Sequence, residues 1–275
     1  MDSETEYFLS QDGLRLYYRH WDCEHPSKML CIIHGLGEHS NRHQELATFL
    51  NSQGITVFAM DLRGHGLSHG KRGHARSYPL LLSDIEELLK TARAEYTELP
   101  MYLLGQSMGG NLVANYVLKM NTTELSGFVL TSPWFRLAFE PPKWKVTLGK
   151  LVSGILPALT QPNDLNAADL SRDPVVVEAY DHDPLVHRVI SAGLFTSATA
   201  AGEEALQRAS EVKIKGLVIH GNADPIVSWK ASKNYAESNE LLTWTELDGV
   251  LHEPFQDLGK EEVMQQVAKW ILAEA

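Results

Sequence analysis

Short apolar runs alternate with amphipathic stretches along most of the chain. Six runs are strand candidates: KMLCIIHG, ITVFAMD, MYLLG, GFVLTSP, GLVIHG and LTWTELDG. Stretches with helical periodicity, such as residues 77–97 and 231–239, separate most of them. Nearly continuous apolar strands between helices are typical of a parallel sheet that is covered on both faces. Two further runs, YFLS and LRLYYRHW, flank Gln11-Asp12-Gly13 and predict an opening hairpin.

One interval interrupts this alternation. About eighty residues separate GFVLTSP from GLVIHG, whereas a crossover between parallel strands needs far fewer. The interval contains several prolines and a helical pattern from residue 143 to residue 159. We therefore expect one α/β domain, in which residues 1–133 and 203–275 form the core and residues 134–202 form an insertion.

Composition and charge narrow the class of protein. The chain has 275 residues, and its 24 basic against 35 acidic side chains give a net charge of −11, which disfavours nucleic acid as a partner. The two cysteines, Cys23 and Cys31, are too few for a disulfide framework, and we expect both as buried thiols. The N-terminal segment MDSETEYFLS lacks the basic start and apolar stretch of a secretory signal, which favours a cytoplasmic protein. No motif predicts a metal site or a cofactor.

The segment LLGQSMGG (103–110) places one hydroxyl among three glycines. The run MYLLG predicts a strand and residues 108–120 predict a helix, so Ser107 lies at their junction. A sharp turn from strand to helix crowds its neighbours, and Gly105 and Gly109 leave room for it. The helix N-terminus offers free amides to a developing negative charge. This context predicts a nucleophile elbow, and a serine that only caps the helix is the alternative.

A serine hydroxyl needs a base and an orienting carboxylate to act as a nucleophile near neutral pH. In the fold that carries this elbow, the acid and then the histidine follow the serine along the chain. Asp224 follows the strand GLVIHG and His252 follows the strand LTWTELDG, so both positions are filled. We predict Asp224 as the acid. Its structural alternative is a cap of the helix near Ser228, and Asp248 is the other carboxylate near the base.

The predicted oxyanion hole needs two backbone N–H groups, one after the nucleophile and one after the early strand KMLCIIHG. Met108 and Leu36 occupy these positions. The segment His34-Gly35-Leu36-Gly37 supplies the closely approaching backbone that such a loop requires. Because the donors are amides, we expect the side chain of Leu36 to matter little.

Five blocks resemble the signature segments of the monoacylglycerol lipases and lysophospholipases of the α/β-hydrolase superfamily. They are HGLGEHSNRH (34–43), DLRGHGLSHGKRGH (61–74), GQSMGG (105–110), HGNADPIV (220–227) and LHEP (251–254). The resemblance runs from about residue 28 to residue 270, except in the insertion. It implies an α/β-hydrolase fold with a mostly parallel central sheet of about eight strands, flanked by helices, and an inserted helical lid.

The resemblance also implies site residues. It implies a serine hydrolase with Ser107, Asp224 and His252 as the triad and with Leu36 and Met108 as oxyanion donors. The insertion would form the lid.

The same resemblance places Glu38 and Arg42 beside the oxyanion hole, near the polar head of the substrate. Their i,i+4 spacing predicts a salt bridge, which we favour over direct substrate contacts, and the pair would still shape the pocket. Two positions depart from the family pattern, because His43 stands where tyrosine is usual and Gln106 where histidine is common. The head-group preference of the family is therefore not carried over.

The glycine-rich block DLRGHGLSHG follows neither a dinucleotide-binding nor a P-loop pattern. No phosphate site is therefore predicted there. We expect Asp61, Arg63 and His65 to form a buried polar network that supports the site.

The helical pattern in the insertion has one apolar side. Its members are Trp144, Leu148, Leu151, Val152, Ile155 and Leu159, and the basic residues Lys143, Lys145 and Lys150 lie mainly elsewhere around the helix. The stripe either packs the lid onto the core, which we favour, or faces a lipid interface. The second alternative would give transient, peripheral contact with a membrane or micelle. Both alternatives allow an acyl pocket beneath the lid.

Together these features predict a serine hydrolase of carboxylic esters with one acyl chain, and a monoacylglycerol is the favoured small-molecule substrate. A lysophospholipase or a general carboxylesterase would use the same residues. An aminopeptidase would need an acidic site for the amino terminus of its substrate, which Glu203 or Glu204 could supply. A small-molecule receptor with slow turnover is the alternative from a different class. No oligomeric state is predicted.

Overall fold

Strands build two sheets in the structure, a computed structural model that describes residues 4–139 and 153–273. In chain order they are β1 (Glu4–Leu9), β2 (Arg15–Trp21), β3 (Lys28–Ile33), β4 (Ile55–Met60), β5 (Met101–Gln106), β6 (Leu125–Thr131), β7 (Thr160–Pro162), β8 (Val189–Ser191), β9 (Gly216–Gly221) and β10 (Leu242–Leu247). The large sheet has eight strands in the order β1-β2-β4-β3-β5-β6-β9-β10, and β7 pairs with β8. The hairpin β1-β2 and the pair β2-β4 are antiparallel, and the remaining pairs of the large sheet are parallel. The predicted mostly parallel sheet of the α/β-hydrolase fold is confirmed.

Helices cover both faces of the large sheet. They are α1 (Gln44–Ser52), α2 (Tyr78–Glu95), α3 (Met108–Lys119), α4 (Pro174–His182), α5 (Ala192–Gln207), α6 (Trp229–Glu237) and α7 (Lys260–Ala273). Short 3-10 helices lie at Ser40–His43, Ala167–Asp169 and Ala209–Glu211. Among the helices in the described part of the chain, none combines the length and apolar character that a bilayer span requires.

Strand β3 shows why the central runs are apolar at nearly every position. Met29, Cys31 and Ile33 belong to the core cluster shared with α2 and α3, whereas Leu30 and Ile32 belong to the cluster shared with α1 and α7. Successive side chains of a strand point to opposite faces, and here both faces are covered. The strand therefore lacks the alternation of a half-exposed strand.

Parallel pairing brings the carboxyl ends of three strands to one edge of the sheet. Ser107 directly follows β5, Asp224 lies in the loop after β9, and His252 lies in the loop after β10. Strand β6 separates β5 from β9, and β9 pairs directly with β10. Loops at this edge can therefore bring together residues that are far apart in sequence.

The insertion is only partly helical in the residues described. Strand β7 precedes α4, and β8 lies between α4 and α5 and pairs with β7 in antiparallel fashion. The sequence does not predict this pair, because three residues are too few to show an alternating pattern. The helix predicted over residues 143–159 lies largely outside the described residues. At its end, residues 153–155 are helical, and Ile155 and Leu159 are exposed.

Helix α5 continues through the predicted end of the insertion at residue 202 and packs on the core. The side chains of Asn111 and Asn115, both on α3, donate to the carbonyls of Ala198 at 2.9 Å and Ala201 at 3.1 Å. These four residues are buried, so the contacts join α5 to the helix that follows Ser107. The domain boundary at residues 202 and 203 stays a prediction.

Candidate active site

Ser107 occupies the turn between β5 and α3 in an unusual backbone conformation. Its φ is 53° and its ψ is −115°, a region that residues with a side chain rarely adopt. Its N–H donates to the carbonyl of Thr131 at 3.0 Å, and its carbonyl accepts from the N–H of Trp134 at 2.9 Å. The fold thus holds the strained turn from both sides.

The glycines around Ser107 are places where backbone segments approach each other. A Cβ atom on Gly109 would lie 2.0 Å from the carbonyl oxygen of Ile33, and one on Gly105 would lie 2.4 Å from the carbonyl oxygen of Gly109. A Cβ on Gly110 would lie 2.9 Å from the Cα of Pro133. Any other residue would push β5, α3 and the loop after β3 apart, so the glycines permit the turn.

One chain of hydrogen bonds connects Ser107, His252 and Asp224. The Nε2 atom of His252 lies 2.9 Å from Ser107 Oγ, and its Nδ1 atom lies 2.7 Å from Asp224 Oδ2. Asp248 is exposed and accepts instead from Asn222 Nδ2 at 3.0 Å. The structure therefore brings together the three residues predicted for catalysis and leaves the alternative carboxylate outside.

The loop after β9 shows what else Asp224 does. Its Oδ1 atom accepts from the backbone N–H groups of Ile226 at 2.8 Å and Val227 at 3.1 Å. Helix α6 is capped by the side chain of Ser228, which accepts from the N–H of Ala231. The capping alternative for Asp224 is therefore not what the structure has.

Burial and neighbouring charges have opposing effects on the protonation of Asp224 and His252. Burial would raise the pKa of Asp224, but the charge of His252 and the hydrogen bonds from His220 and His252 hold that pKa well below its ordinary value. Burial would lower the pKa of His252, but the Asp224 carboxylate outweighs it and raises that pKa. Asp224 is therefore ionised at neutral pH and favours a proton on His252.

The loop after β3 lies against the nucleophile. His34 Nε2 accepts from the N–H of Leu62 at 2.9 Å, so its Nδ1 carries the proton and donates to the carbonyl of Gly35 at 2.7 Å. A Cβ on Gly35 would lie only 3.1 Å from the Cβ of Ser107. The structure thus places Leu36 and Met108 on the segments that flank Ser107, and their role as oxyanion donors stays a prediction.

Arg42 lies between two buried carboxylates. It donates to Glu38 Oε2 at 3.0 Å and, through two nitrogens, to Glu253 Oε1 at 2.7 Å and Oε2 at 2.6 Å. Glu38 also accepts from the N–H of Gly35 through Oε1 at 2.6 Å. The guanidinium carbon lies 4.7 Å from the centre of the Tyr180 ring on α4. The predicted Glu38–Arg42 salt bridge is present and connects the loop after β3 with the loop that carries His252.

The sequence patterns missed Glu253, although it directly follows His252 in the LHEP block. Its pairing with Arg42 spans 211 positions, and no local pattern signals such a contact. The role of Gln106 was missed as well. Its Nε2 donates to the carbonyl of His252 at 3.1 Å, and its Oε1 accepts from the hydroxyl of Thr131. Both residues hold the histidine loop.

The block after β4 supports the site as a buried polar network. Asp61 accepts from the N–H of Ser40 at 2.8 Å and from the N–H of Leu67 at 2.7 Å. Arg63 donates twice to the buried Asp84, at 2.6 and 2.7 Å. The ring of His65 lies 5.2 Å from that of His34, so this network also contacts the loop after β3.

Glu203 and Glu204 lie in surface ion pairs. Glu203 accepts from Arg136 at 2.5 and 2.6 Å, and Glu204 pairs with Lys119 at 2.6 Å and Arg208 at 2.9 Å. Their side chains are 38% and 41% exposed. Neither residue therefore supports a buried site for a peptide amino terminus. In the described part of the chain, no group of three or more histidine, cysteine, aspartate or glutamate side chains is placed to hold a metal ion.

The mostly parallel sheet and the elbow at the end of β5 define an α/β-hydrolase. The family described as serine aminopeptidase, S33 matches residues 24–259, and the chain belongs to this family.

Individual relatives show which kind of hydrolase the chain resembles. An uncharacterized abhydrolase domain-containing protein of Dictyostelium discoideum is 33% identical over 98% of this chain, which spans only 29% of that relative. The monoacylglycerol lipase of Mycolicibacterium smegmatis is 31% identical over 97% of this chain and 96% of its own length. The solved structure of the Paleococcus ferrophilus monoacylglycerol lipase is 31% identical and matches all of both chains with a TM-score of 0.83. The chain is an ester hydrolase that resembles monoacylglycerol lipases.

Proposed function

We propose that this enzyme hydrolyses carboxylic esters with one acyl chain, and in particular monoacylglycerols, through the triad Ser107, His252 and Asp224. The observation that carries the proposal is the position of His252 between the other two, 2.9 Å from Ser107 Oγ and 2.7 Å from Asp224 Oδ2. The similarity to monoacylglycerol lipases along nearly the whole chain supports the substrate class.

In the first step, Ser107 Oγ attacks the ester carbonyl carbon while His252 Nε2 takes the hydroxyl proton. The Asp224 carboxylate stabilises the imidazolium that forms and keeps the remaining proton on Nδ1. The tetrahedral intermediate then collapses, the bond to the alcohol oxygen breaks, and the imidazolium gives its proton to the leaving alcohol. Ser107 is left as an acyl ester.

In the second step, water attacks the acyl-enzyme. His252 takes a proton from the water, and the new tetrahedral intermediate expels Ser107 Oγ, which regains its proton from the imidazolium. The products are a carboxylic acid and the free enzyme. Neutral His252 is needed at the start of each half-reaction.

The N–H groups of Leu36 and Met108 would hold the negative oxygen in both steps. The position of Met108 at the start of α3 supports this role, because the first amides of a helix have no partner within it and the positive end of its dipole lies there. The fixed tautomer of His34 supports it on the other side, because that ring holds the carbonyl of Gly35. Two preorganised amides need no rearrangement as charge develops.

Glu38 and Arg42 would shape the pocket for the alcohol part of the substrate without binding it. The charge of Arg42 is already shared between Glu38 and Glu253, which disfavours capture of a lipid phosphate. This pairing favours an uncharged glycerol over a phosphorylated head group. A lysophospholipase is therefore the second candidate.

Residues 134–202 would form a lid over an acyl pocket. Several apolar side chains in this region are exposed and support contact with a lipid surface: Phe139, Ile155, Leu156 and Leu159. Their exposure favours the lipid-contact alternative over packing of the lid on the core, and we propose that these side chains touch membranes or micelles transiently while the substrate enters.

Rates of hydrolysis across several substrates test the proposal. We would compare p-nitrophenyl esters of increasing acyl length, 1-monoacylglycerol, lysophosphatidylcholine and an aminoacyl amide, with Ser107→Ala as the blank. We expect fast release of the carboxylic acid from the monoacylglycerol. Ser107→Ala should reduce this rate by about a millionfold if the triad acts as a unit. Ser238→Ala, which changes an exposed serine at the end of α6, should leave it unchanged.

Two results would contradict the proposal. Retention of most activity by Ser107→Ala would remove the nucleophile from the mechanism. Faster hydrolysis of lysophosphatidylcholine than of the monoacylglycerol would transfer the function to the second candidate.

A further inference from the structure

A second buried histidine contacts the acid of the proposed triad. Asp224 Oδ2, the oxygen that lies 2.7 Å from His252 Nδ1, also lies 2.9 Å from His220 Nε2. His220 is on β9 and has no exposed surface. Its Nδ1 atom lies 2.8 Å from the hydroxyl of Ser232, a buried residue on α6. The hydrogen-bonded chain thus has five members and starts on a helix outside the catalytic loops.

The chemistry of these groups fixes the direction of each hydrogen bond. Ionised Asp224 can only accept, so His220 Nε2 must carry a proton. Burial lowers the pKa of His220 despite the neighbouring carboxylate, and the ring is therefore neutral. Its Nδ1 atom then has a lone pair and accepts from the hydroxyl of Ser232. The Asp224 carboxylate thereby selects the tautomer of His220, and the Ser232 hydroxyl satisfies the lone pair that this tautomer leaves on Nδ1.

We propose that His220 is a positioning residue that fixes Asp224 Oδ2 with a neutral N–H donor and limits how strongly this oxygen draws the proton of His252. The inference rests on the proposed function, because it assigns His220 an effect on the base of that reaction. His220 itself touches neither Ser107 nor the substrate in this scheme. It acts through Asp224.

The effect follows from sharing one oxygen between two donors. Because the Ile226 and Val227 amides hold Oδ1, the carboxylate stays in place when His220 loses its N–H. The Oδ2 atom then keeps a buried lone pair without its donor and interacts more strongly with the proton on His252. The positive end of the His220 N–H dipole also disappears from the neighbourhood of the imidazolium.

Replacement of His220 leaves the charged groups around His252 unchanged. The carboxylates that most affect the pKa of His252 are those of Asp224, Glu253 and Glu38, and His220 faces Asp224 and His252. None of the carboxylates changes when His220 is replaced. A change in the protonation of His252 therefore reports the loss of the His220 donor.

The test compares His220→Leu with His220→Gln, because Gln can place an N–H near the position of His Nε2 and Leu cannot. The measurement is the pH dependence of kcat/KM with a soluble p-nitrophenyl ester, whose acid limb reports the protonation of the base in the free enzyme. In His220→Leu this limb should move up by about half to one pH unit, the equivalent of one hydrogen bond. In His220→Gln it should stay at the wild-type position.

Two more variants separate this effect from general damage. Ile219→Val shortens a buried side chain of the same strand that belongs to the core cluster on the other face, and it should lower stability without moving the limb. Ser232→Ala removes the hydroxyl that donates to Nδ1, which weakens Nε2–H as a donor, and it should move the limb in the same direction by a smaller amount. If His220→Leu does not fold, Ser232→Ala decides the question.

The possible outcomes are distinct. Activity in Ser107→Ala would defeat the proposed function itself. An inactive Ser107→Ala together with an unmoved acid limb in His220→Leu would overturn only the inference, and so would equal shifts in His220→Leu and His220→Gln. A shift in His220→Leu that His220→Gln reverses supports it.

Discussion

Asp224 is surrounded by donors on both of its carboxylate oxygens. Two backbone amides hold Oδ1, and two imidazoles share Oδ2. Such a carboxylate is ionised, fixed in orientation and unable to donate. It therefore requires His252 to keep its Nδ1 proton, which leaves Nε2 as an acceptor towards Ser107.

The variant Asp224→Asn tests this requirement. An amide N–H facing His252 Nδ1 would favour the wrong tautomer, with the proton on Nε2, and turnover should fall by about 10⁴-fold while the fold persists. The matched control is Asp248→Asn, which changes the exposed carboxylate bound to Asn222 and should keep wild-type turnover. Esterase rates and circular dichroism of both proteins provide the measurement. The reverse pattern of losses would make Asp248 the acid.

At the scale of elements, the site depends on close contact between α3, β5 and the loop after β3. The elbow glycines permit this contact, and the buried Arg42 joins the 3-10 helix Ser40–His43 to the loop of His252. Gly35 takes part through its N–H to Glu38. The base and the expected oxyanion loop are thus held by one set of contacts.

Gly109→Ala should damage the elbow. The new Cβ would lie 2.0 Å from the carbonyl oxygen of Ile33 and 2.6 Å from that of His34, both backbone atoms that cannot move aside cheaply. We expect loss of nearly all esterase activity and a large drop in melting temperature. Gly154→Ala is the control for stability, because no atom of the described residues lies within 4 Å of a Cβ there. Normal activity and stability in Gly109→Ala would show that the elbow tolerates a side chain.

Arg42→Met should destabilise the protein because it leaves two buried carboxylates without their cationic partner. Glu38 and Glu253 would stay buried without their partner, which costs about 3 to 5 kcal/mol in the free energy of unfolding. The control is Arg136→Met, which breaks the exposed pair with Glu203 and should cost about 1 kcal/mol or less. Urea unfolding of both variants measures the difference. Equal costs would mean that burial does not strengthen the Arg42 pairs.

At the scale of the whole molecule, buried histidines make the fold sensitive to acid. Burial lowers the pKa of four of them and of the half-buried His187; the four are His34, His43, His65 and His220. The unfolded chain binds protons at these positions near pH 6.5, before the folded protein does, so stability falls as the pH decreases. The raised pKa of His252 has the opposite sign, because a raised histidine pKa favours the folded state in acid.

Acidification from pH 7 to pH 5 should therefore lower the free energy of unfolding. Burial lowers the pKa of His43 to about 4, and this residue alone should account for about 2 kcal/mol of the loss. In His43→Gln the difference in unfolding free energy between the two pH values should shrink by that amount. His25→Gln, at an exposed position, should leave the difference unchanged. An unchanged difference in His43→Gln would show that folding does not lower the pKa of His43.

Local patterns were enough to predict the architecture and the candidate residues. Strands buried on both faces must be apolar at nearly every position, and a tight strand-to-helix turn must have glycines within a few residues of its serine. The fold class is confirmed, and the structure brings Ser107, Asp224 and His252 within hydrogen-bonding distance. Their catalytic roles stay predictions.

The sequence by itself thus determined the order along the chain of the strands that form the large sheet, the elbow and the loops that carry the site, because these depend on neighbours along the chain. Beyond the triad and the local Glu38–Arg42 pair, only the tertiary structure decided which polar groups meet. The pairing of Arg42 with Glu253, the hold of Gln106 on the His252 carbonyl and the sharing of Asp224 between two imidazoles are examples. Such contacts depend on the packing of distant segments and on which buried group lacks a partner, and neither leaves a periodic signal in the sequence.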